Sequence, residues 1–202
     1  TQRGHLMPRF LHELLLPHAA ARPDGIAVCW KDEPIPYGEL DRLTNQLAHT
    51  LRANGCHAGD RVAVLIPHSA NALFAILGIL KAGCVAVPLE ISTPATRVAD
   101  ILGEHRPALI LASRASRMLL DHVFLQDFAA VSVGTLEAMP LEGEFFATDF
   151  SGLDILRQST GAAAFGATTH APALLLFGNG VVACDVADSI QSPIFEALDS
   201  QP

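Results

Sequence analysis

The sequence predicts an α/β fold: a mostly parallel, doubly wound sheet with helices on both faces. Three observations carry this. Strand-like and helix-like segments alternate from residue 26 to about residue 133, the order that successive βαβ units require. Several strand segments are continuous apolar runs, as expected where both faces of a sheet are covered. Half of the 202 residues are hydrophobic and only 17% are charged. Such a composition excludes disorder and supplies a substantial core.

The elements follow in order. Leu11, Leu14, Leu15 and Ala19 share one face of a helix predicted over residues 8–21, which Pro17 should kink or split. Asp24-Gly25 turns the chain into the strand IAVCW (26–30), and Lys31-Asp32-Glu33 is a polar turn leading to IPY. In ELDRLTNQLAHTLRANG, Leu40, Leu43, Leu47 and Leu51 recur at the helical period, with polar residues on the other face and Gly55 as C-terminal cap. Gly59-Asp60 leads into the strand RVAVLI (61–66). Ser69 caps the helix ANALFAILGILKA, which ends at Gly83 and is apolar almost all round. CVAVPL (84–89) is a strand covered on both faces. Thr93 caps the next helix, with Pro94 at its first position; the helix runs to Glu104 and Pro107 stops it. ALILAS (108–113) is a buried strand, Ser113 or Ser116 caps a short helix to His122, and AVSV (130–133) is a further strand. Beyond Gly134 the pattern weakens. PALLLF (172–177) and VVACDV (181–186) flank Gly178-Asn179-Gly180, a hairpin signal.

Charge divides the chain. Residues 1–117 hold 12 of the 13 Lys and Arg residues and 10 acidic ones, a net of +2; residues 118–202 hold Arg157 and 11 acidic residues, a net of −10. We therefore expect an α/β scaffold over residues 1–133. Residues 134–202 read as an acidic, divergent continuation of the same domain. The chain lacks the basic face that nucleic acid requires. The apolar stretch before Lys81 is too short to span a bilayer, and TQRGHLMPRF lacks the apolar core of a signal peptide. A cytoplasmic protein is expected. Cys29, Cys56, Cys84 and Cys184 show no metal or redox spacing, and Cys29 and Cys84 sit in apolar runs that predict buried thiols. The nine histidines show no ligand pair on one helix face; His12, His18 and His68 read as surface or capping residues, and Glu142 and Glu144 as solvated loop charges. No dinucleotide fingerprint and no G-x-S-x-G elbow is present. No catalytic residue and no metal site is predicted.

The run from Leu11 to Leu111 resembles the N-terminal part of the adenylate-forming enzymes: peptide-synthetase adenylation domains, acyl-CoA synthetases and luciferases. IPYGEL (35–40), with Tyr37, Glu39 and Leu40, is similar to the family's first core motif. LKAGCVAVPLE, with Lys81, Gly83 and Pro88, is similar to the second. The resemblance implies the N-terminal part of the family's large subdomain, and an ATP- and magnesium-dependent activation of a carboxylate in a complete member. These matching residues are scaffold in the family, not catalytic groups.

The family's phosphate-gripping loop needs glycines, hydroxyls and a lysine. Two windows compete for it. Ser159-Thr160-Gly161 is the candidate nucleotide-binding turn, but Ala162–Ala164 stand where a lysine belongs. PALLLF looks more like the family's strand before the loop, with Gly178-Asn179-Gly180 replacing the loop itself. In neither alignment is a lysine available, because Lys31 and Lys81 are the only two.

The expectation is a truncated N-terminal piece of an adenylate-forming enzyme, inactive alone and needing no cofactor by itself. The alternative is a non-catalytic interaction module on a degenerate scaffold. Its partner would be the missing remainder of an adenylation enzyme, another protein covering apolar surface, or a second copy. A third reading is a small-ligand site at the carboxyl ends of the parallel strands.

Overall fold

The computed structural model describes residues 13, 15–125, 131–163, 165, 174–177 and 181–184. It opens with helix α1 (Leu15–Ala21). Pro17 falls in the first turn, where a missing N–H costs nothing, so it neither kinks nor splits the helix. Residues 8–12 and 14 of the predicted helix lie outside the described residues.

Strands β1 (Ile26–Trp30) and β2 (Glu33–Pro36) form a separate antiparallel ribbon. Lys31 and Asp32 both have positive φ, 48° and 66°. That is the turn whose twist matches a two-residue hairpin. Lys31 and Asp32 thus form the expected turn, while Glu33–Pro36 is a strand that pairs back on β1 and Tyr37 already belongs to α2. The ribbon stands apart from the main sheet, which leaves Cys29 exposed, contrary to the buried-thiol expectation; Cys84 is buried as predicted.

Helix α2 (Tyr37–Ala53) is followed by β3 (Arg61–Leu65), α3 (Ala70–Lys81), β4 (Val85–Pro88), α4 (Ala95–His105), β5 (Leu109–Ala112), α5 (Arg117–Phe124), β6 (Ser132–Thr135), α6 (Gly152–Leu156), β7 (Leu174–Phe177) and β8 (Val181–Cys184). The main sheet has six strands in the order β6-β5-β3-β4-β7-β8. All neighbours are parallel except β7 and β8, which pair antiparallel as a hairpin; the turn residues 178–180 and residues 185–186 lie outside the described ones.

Side-chain alternation along each strand assigns the two core layers. Val62, Val64, Cys84, Ala86, Leu109 and Leu111 face Leu47 and Leu51 of α2 and Ala75 and Ile79 of α3. Ala63, Leu65, Val85, Val87, Ile110 and Ala112 face Val98, Ile101 and Leu102 of α4 and Leu120 and Val123 of α5. The chain crosses from β3 to β4 over α3 on one face, then returns past β3 to β5 over α4 on the other. Right-handed crossovers in opposite directions give this two-sided arrangement.

Two expectations are corrected and two features are added. Pro94 occupies the cap of α4 and the helix begins at Ala95, because the residue's ψ of 140° is extended rather than helical. Strand β6 is shifted two residues along, to Ser132–Thr135, pairing with Leu109–Ala112; Ala130 is outside the described residues. On the polar side of α2, Thr44, Asn45, Gln46 and Thr50 are buried while Glu39 and Arg42 stay exposed. The weakly patterned stretch after Gly134 contains a short helix, α6, which starts with a capping box between Ser151 and Asp154.

Candidate functional site

Doubly wound sheets bind ligands beyond the carboxyl ends of their strands, where the crossovers diverge. Here the divergence falls between β5 and β3. The Ser113 hydroxyl donates to the Leu65 carbonyl across it, at 3.5 Å. One histidine–carboxylate contact and one ion pair flank this edge. His68 after β3 meets Glu90 after β4, Nε2 to Oε1 3.0 Å. Arg114 after β5 meets Glu137 after β6, Nε to Oε2 3.4 Å, and Glu137 Oε1 also accepts from the Arg114 amide at 2.6 Å. Arg117 donates from Nε to the Glu142 carbonyl at 2.7 Å. Each of these basic side chains is already engaged.

Lys81 is buried at the end of α3, 2% exposed. Its Nζ donates to Asp41 Oδ1 at 2.6 Å, to Asn45 Oδ1 at 2.8 Å and to the Asp41 carbonyl at 3.1 Å. Burial pushes its pKa below the ordinary lysine value, against the opposing pull of Asp41. Lys81 thus locks α3 to α2. Tyr37 opens α2 with its ring stacked on His18, 5.2 Å between centroids, and under the Arg22 guanidinium at 5.5 Å. Glu39 is exposed in the first turn, where a negative charge favours the helix dipole; Leu40 is buried. Gly83 has φ of 74°, the left-handed turn that leaves α3, and its carbonyl accepts from Gly59 N at 2.8 Å. Pro88 ends β4 opposite Val64.

The turn Ser159-Thr160-Gly161 lies exposed along the flank of α2. Asn45 Nδ2 donates to the Thr160 carbonyl at 3.2 Å, and His49 Nε2 meets the Gly161 carbonyl at 3.1 Å. Gln46 Nε2 donates to the carbonyls of Leu156 and Gln158, at 2.9 and 3.1 Å. Within the turn, Gly161 N donates to Ser159 Oγ at 3.2 Å. The turn precedes β7, and β7 runs parallel to β4. The chain therefore passes residues 159–161 before it rises through the sheet, and Phe177 is the residue that reaches the carboxyl edge. Residues 178–180, the other candidate window, lie outside the described residues.

The profile of the AMP-binding enzyme family matches residues 16–173. The chain belongs to the AMP-binding enzyme family. Among its relatives, a nonribosomal peptide synthetase of Gibberella zeae is 32% identical over 170 residues, covering 84% of this chain and 2% of that protein. Bacitracin synthase 3 of Bacillus licheniformis is 38% identical over 137 residues, covering 68% of this chain and 2% of that protein. The crystal structure of IdnL7 superposes with a TM-score of 0.68 at 26% identity, over 96% of this chain and 38% of that one. The Mycobacterium tuberculosis fatty acyl CoA synthetase shares the fold, with a TM-score of 0.65 at 18% identity. The chain thus spans a small part of the synthetases it matches and just over a third of IdnL7.

As a member of the AMP-binding enzyme family, the chain keeps the sheet and both helical layers. Its two family motifs are where the fold uses them: Tyr37, Glu39 and Leu40 start α2, and Lys81, Gly83 and Pro88 join α3 to β4. Among the described residues no group of three or more His, Cys, Asp or Glu side chains is arranged to hold a metal ion. No helix among them is long and apolar enough to cross a membrane.

Sequence reasoning missed the face of α2 that holds residues 156–161. Asn45, Gln46 and His49 hold a strap formed by residues 156–161. Part of the signal was available: Asn45 is a poor helix former, and two adjacent amides beside an apolar stripe need hydrogen-bond partners if buried. A cavity of about 230 Å³ opens between this strap and the helices, lined by Leu43, Leu47, Phe74, Leu136, Ile155 and Leu156 among others.

Proposed function

We propose that this chain is the N-terminal, sheet-bearing part of an adenylation domain of the peptide-synthetase kind, and that by itself it activates no carboxylate. A complete member of the family uses ATP and magnesium to turn a carboxylate into an acyl-adenylate. One observation carries the reading: the cations that this reaction needs are committed elsewhere. Lys81 is buried on Asp41 and Asn45, and Lys31 sits in the β1–β2 turn. His68 and Arg114 at the carboxyl edge are paired with Glu90 and Glu137. No lysine follows position 81. These residues do not fit a magnesium triphosphate, and the net charge of −10 over residues 118–202 opposes one. We assign Ser159-Thr160-Gly161 to the strap that α2 holds, because its carbonyls are engaged there and its Gly161 amide is satisfied internally. The test is ATP–pyrophosphate exchange by the purified chain with a panel of amino and fatty acids. We expect no exchange above the protein-free background; steady, carboxylate-dependent exchange overturns the proposal.

A second reading, an interaction module, rests on the apolar surface beside the cavity. Met139, Leu153 and Leu156 are exposed by 62%, 46% and 51%. A patch of this kind favours a covering partner. The rest of an adenylation domain is the occupant this reading takes, with another protein or a second copy as competing outcomes. Light scattering after size exclusion, alone and with co-expressed neighbouring gene products, decides it. A clean monomer that retains none of them counts against the module.

A further inference from the structure

The cavity of about 230 Å³ beside α2 is built by four elements. Its walls are Leu43 and Leu47 of α2, Phe74 of α3, Leu136 just after β6, and Ile155 of α6. Among the described residues no charged one lines it, and Asn71, in the first turn of α3, is its one polar side chain. The charged residues next to the lining in sequence are engaged elsewhere: Arg42 with Gln46, Glu137 with Arg114, and Asp154 with Ser151 and Arg157. The walls are also held apart. A Cβ on Gly78 would stand 2.6 Å from Leu47 Cδ2, so α2 and α3 are already in close contact. Helix α6 is tied at both ends: Gly152 N donates to the Glu137 carbonyl at 2.7 Å, and Gln46 Nε2 to the Leu156 carbonyl at 2.9 Å. A Cβ on Gly152 would meet the Leu136 carbonyl at 2.5 Å, so the start of α6 is seated as deep as the segment after β6 allows. The helix therefore bridges the gap and cannot sink into it, and the space persists because its surroundings cannot relax.

We propose that this cavity binds a small uncharged aromatic molecule that carries one hydrogen-bonding group, with its ring against Phe74 and its polar group at Asn71. A void with fixed apolar walls leaves the lining without contacts on one side, and a ring of fitting size restores them. The Phe74 ring favours an aromatic ligand, because an edge-on or offset ring contact adds to the area buried. A charged ligand would give up its hydration and meet no opposite charge in the lining. The Asn71 amide offers both a donor and an acceptor, so an O–H or an N–H of the ligand is served. The same chemistry keeps a nucleotide triphosphate and a free carboxylate out of this cavity. The site is therefore independent of whether the chain activates a carboxylate.

The test titrates the intact chain, its Leu and Ile methyl groups labelled for NMR, with three ligands built on one methylated ring: 4-methylphenol, toluene and 4-methylbenzoate, all at neutral pH. We expect 4-methylphenol to shift the methyls of Leu43, Leu136 and Ile155 saturably, with a Kd at or below about 1 mM. Toluene, which lacks the hydroxyl, should bind several-fold more weakly. The 4-methylbenzoate anion should bind at least about tenfold more weakly than 4-methylphenol. Asn71→Leu, at an exposed position, should bring 4-methylphenol and toluene to the same affinity. Ala138→Trp, also exposed and part of the lining, should abolish binding of both. No saturable shift at these methyls up to the solubility of 4-methylphenol overturns the proposal, as does 4-methylbenzoate binding as tightly as 4-methylphenol. Shifts centred instead on the core layer under α4 and α5 overturn it too, and so does wild-type affinity in Ala138→Trp. If a variant fails to fold, the three wild-type titrations still decide.

Discussion

Lys81 shows how one side chain can belong to a family motif and still be unavailable for chemistry. Its ammonium is satisfied by three oxygens, and one of them, Asn45 Oδ1, fixes the amide that clasps the strap at Thr160. Lys81→Met leaves Asp41 and Asn45 without their donor inside a packed interface, and should cost about 3 kcal/mol in urea unfolding. It should also loosen residues 156–161, read as faster amide exchange there. Gln46→Ala removes two hydrogen bonds and should cost roughly 1–2 kcal/mol. Its faster exchange should be confined to the strap, with the strands β3–β5 unchanged. Asp154 tests the other end of α6. Its carboxylate accepts from the Ser151 amide and hydroxyl, both at 2.9 Å, which lowers its pKa from 3.8, with a smaller contribution from Arg157. A depressed carboxyl contributes stability above its ordinary pKa and loses it as pH falls through the lowered value. The Ser151–Ile155 amide shifts should therefore titrate with a midpoint below 3.8, followed by NMR, and Asp154→Asn should abolish that step.

At the level of elements, α2 and α3 cross closely at Gly78. A Cβ on Gly78 would stand 2.6 Å from Leu47 Cδ2 and 2.9 Å from Leu47 Cβ. Gly78→Ala should gain about 1 kcal/mol of helix propensity and lose about 1–3 kcal/mol to overpacking, for a net fall in thermal stability seen by calorimetry. The unit β3–α3–β4–α4–β5 was legible in the sequence because its strands are unbroken apolar runs and its helices are long enough to show a period. For the polar face of α2 the sequence shows adjacent amides that need partners but not which ones, because the carbonyls of Leu156, Gln158 and Thr160 lie more than a hundred residues away. Helix α6 has five residues, fewer than two turns, so no periodicity could announce it; its capping box was the only local sign. The β1–β2 ribbon was half visible, since nothing short of the positive φ at Lys31 and Asp32 says that the chain doubles back.

For the whole molecule, the N-terminal sheet of the AMP-binding enzyme fold is present, and the proposal that the chain lacks a phosphate grip rests on its count of two lysines, Lys31 and Lys81. The contacts His68–Glu90 and Arg114–Glu137 were not legible in the sequence, because each joins the ends of different strands. The Ser159-Thr160-Gly161 turn lies along the flank of α2, ahead of the strand that rises to the carboxyl edge. The most direct measurement is equilibrium binding of magnesium ATP to the purified chain, by calorimetry and by equilibrium dialysis. The account predicts no saturable binding, and no change when Ser159 and Thr160 are replaced by alanine. Saturable binding at one site per chain, weakened by those two substitutions, would contradict it.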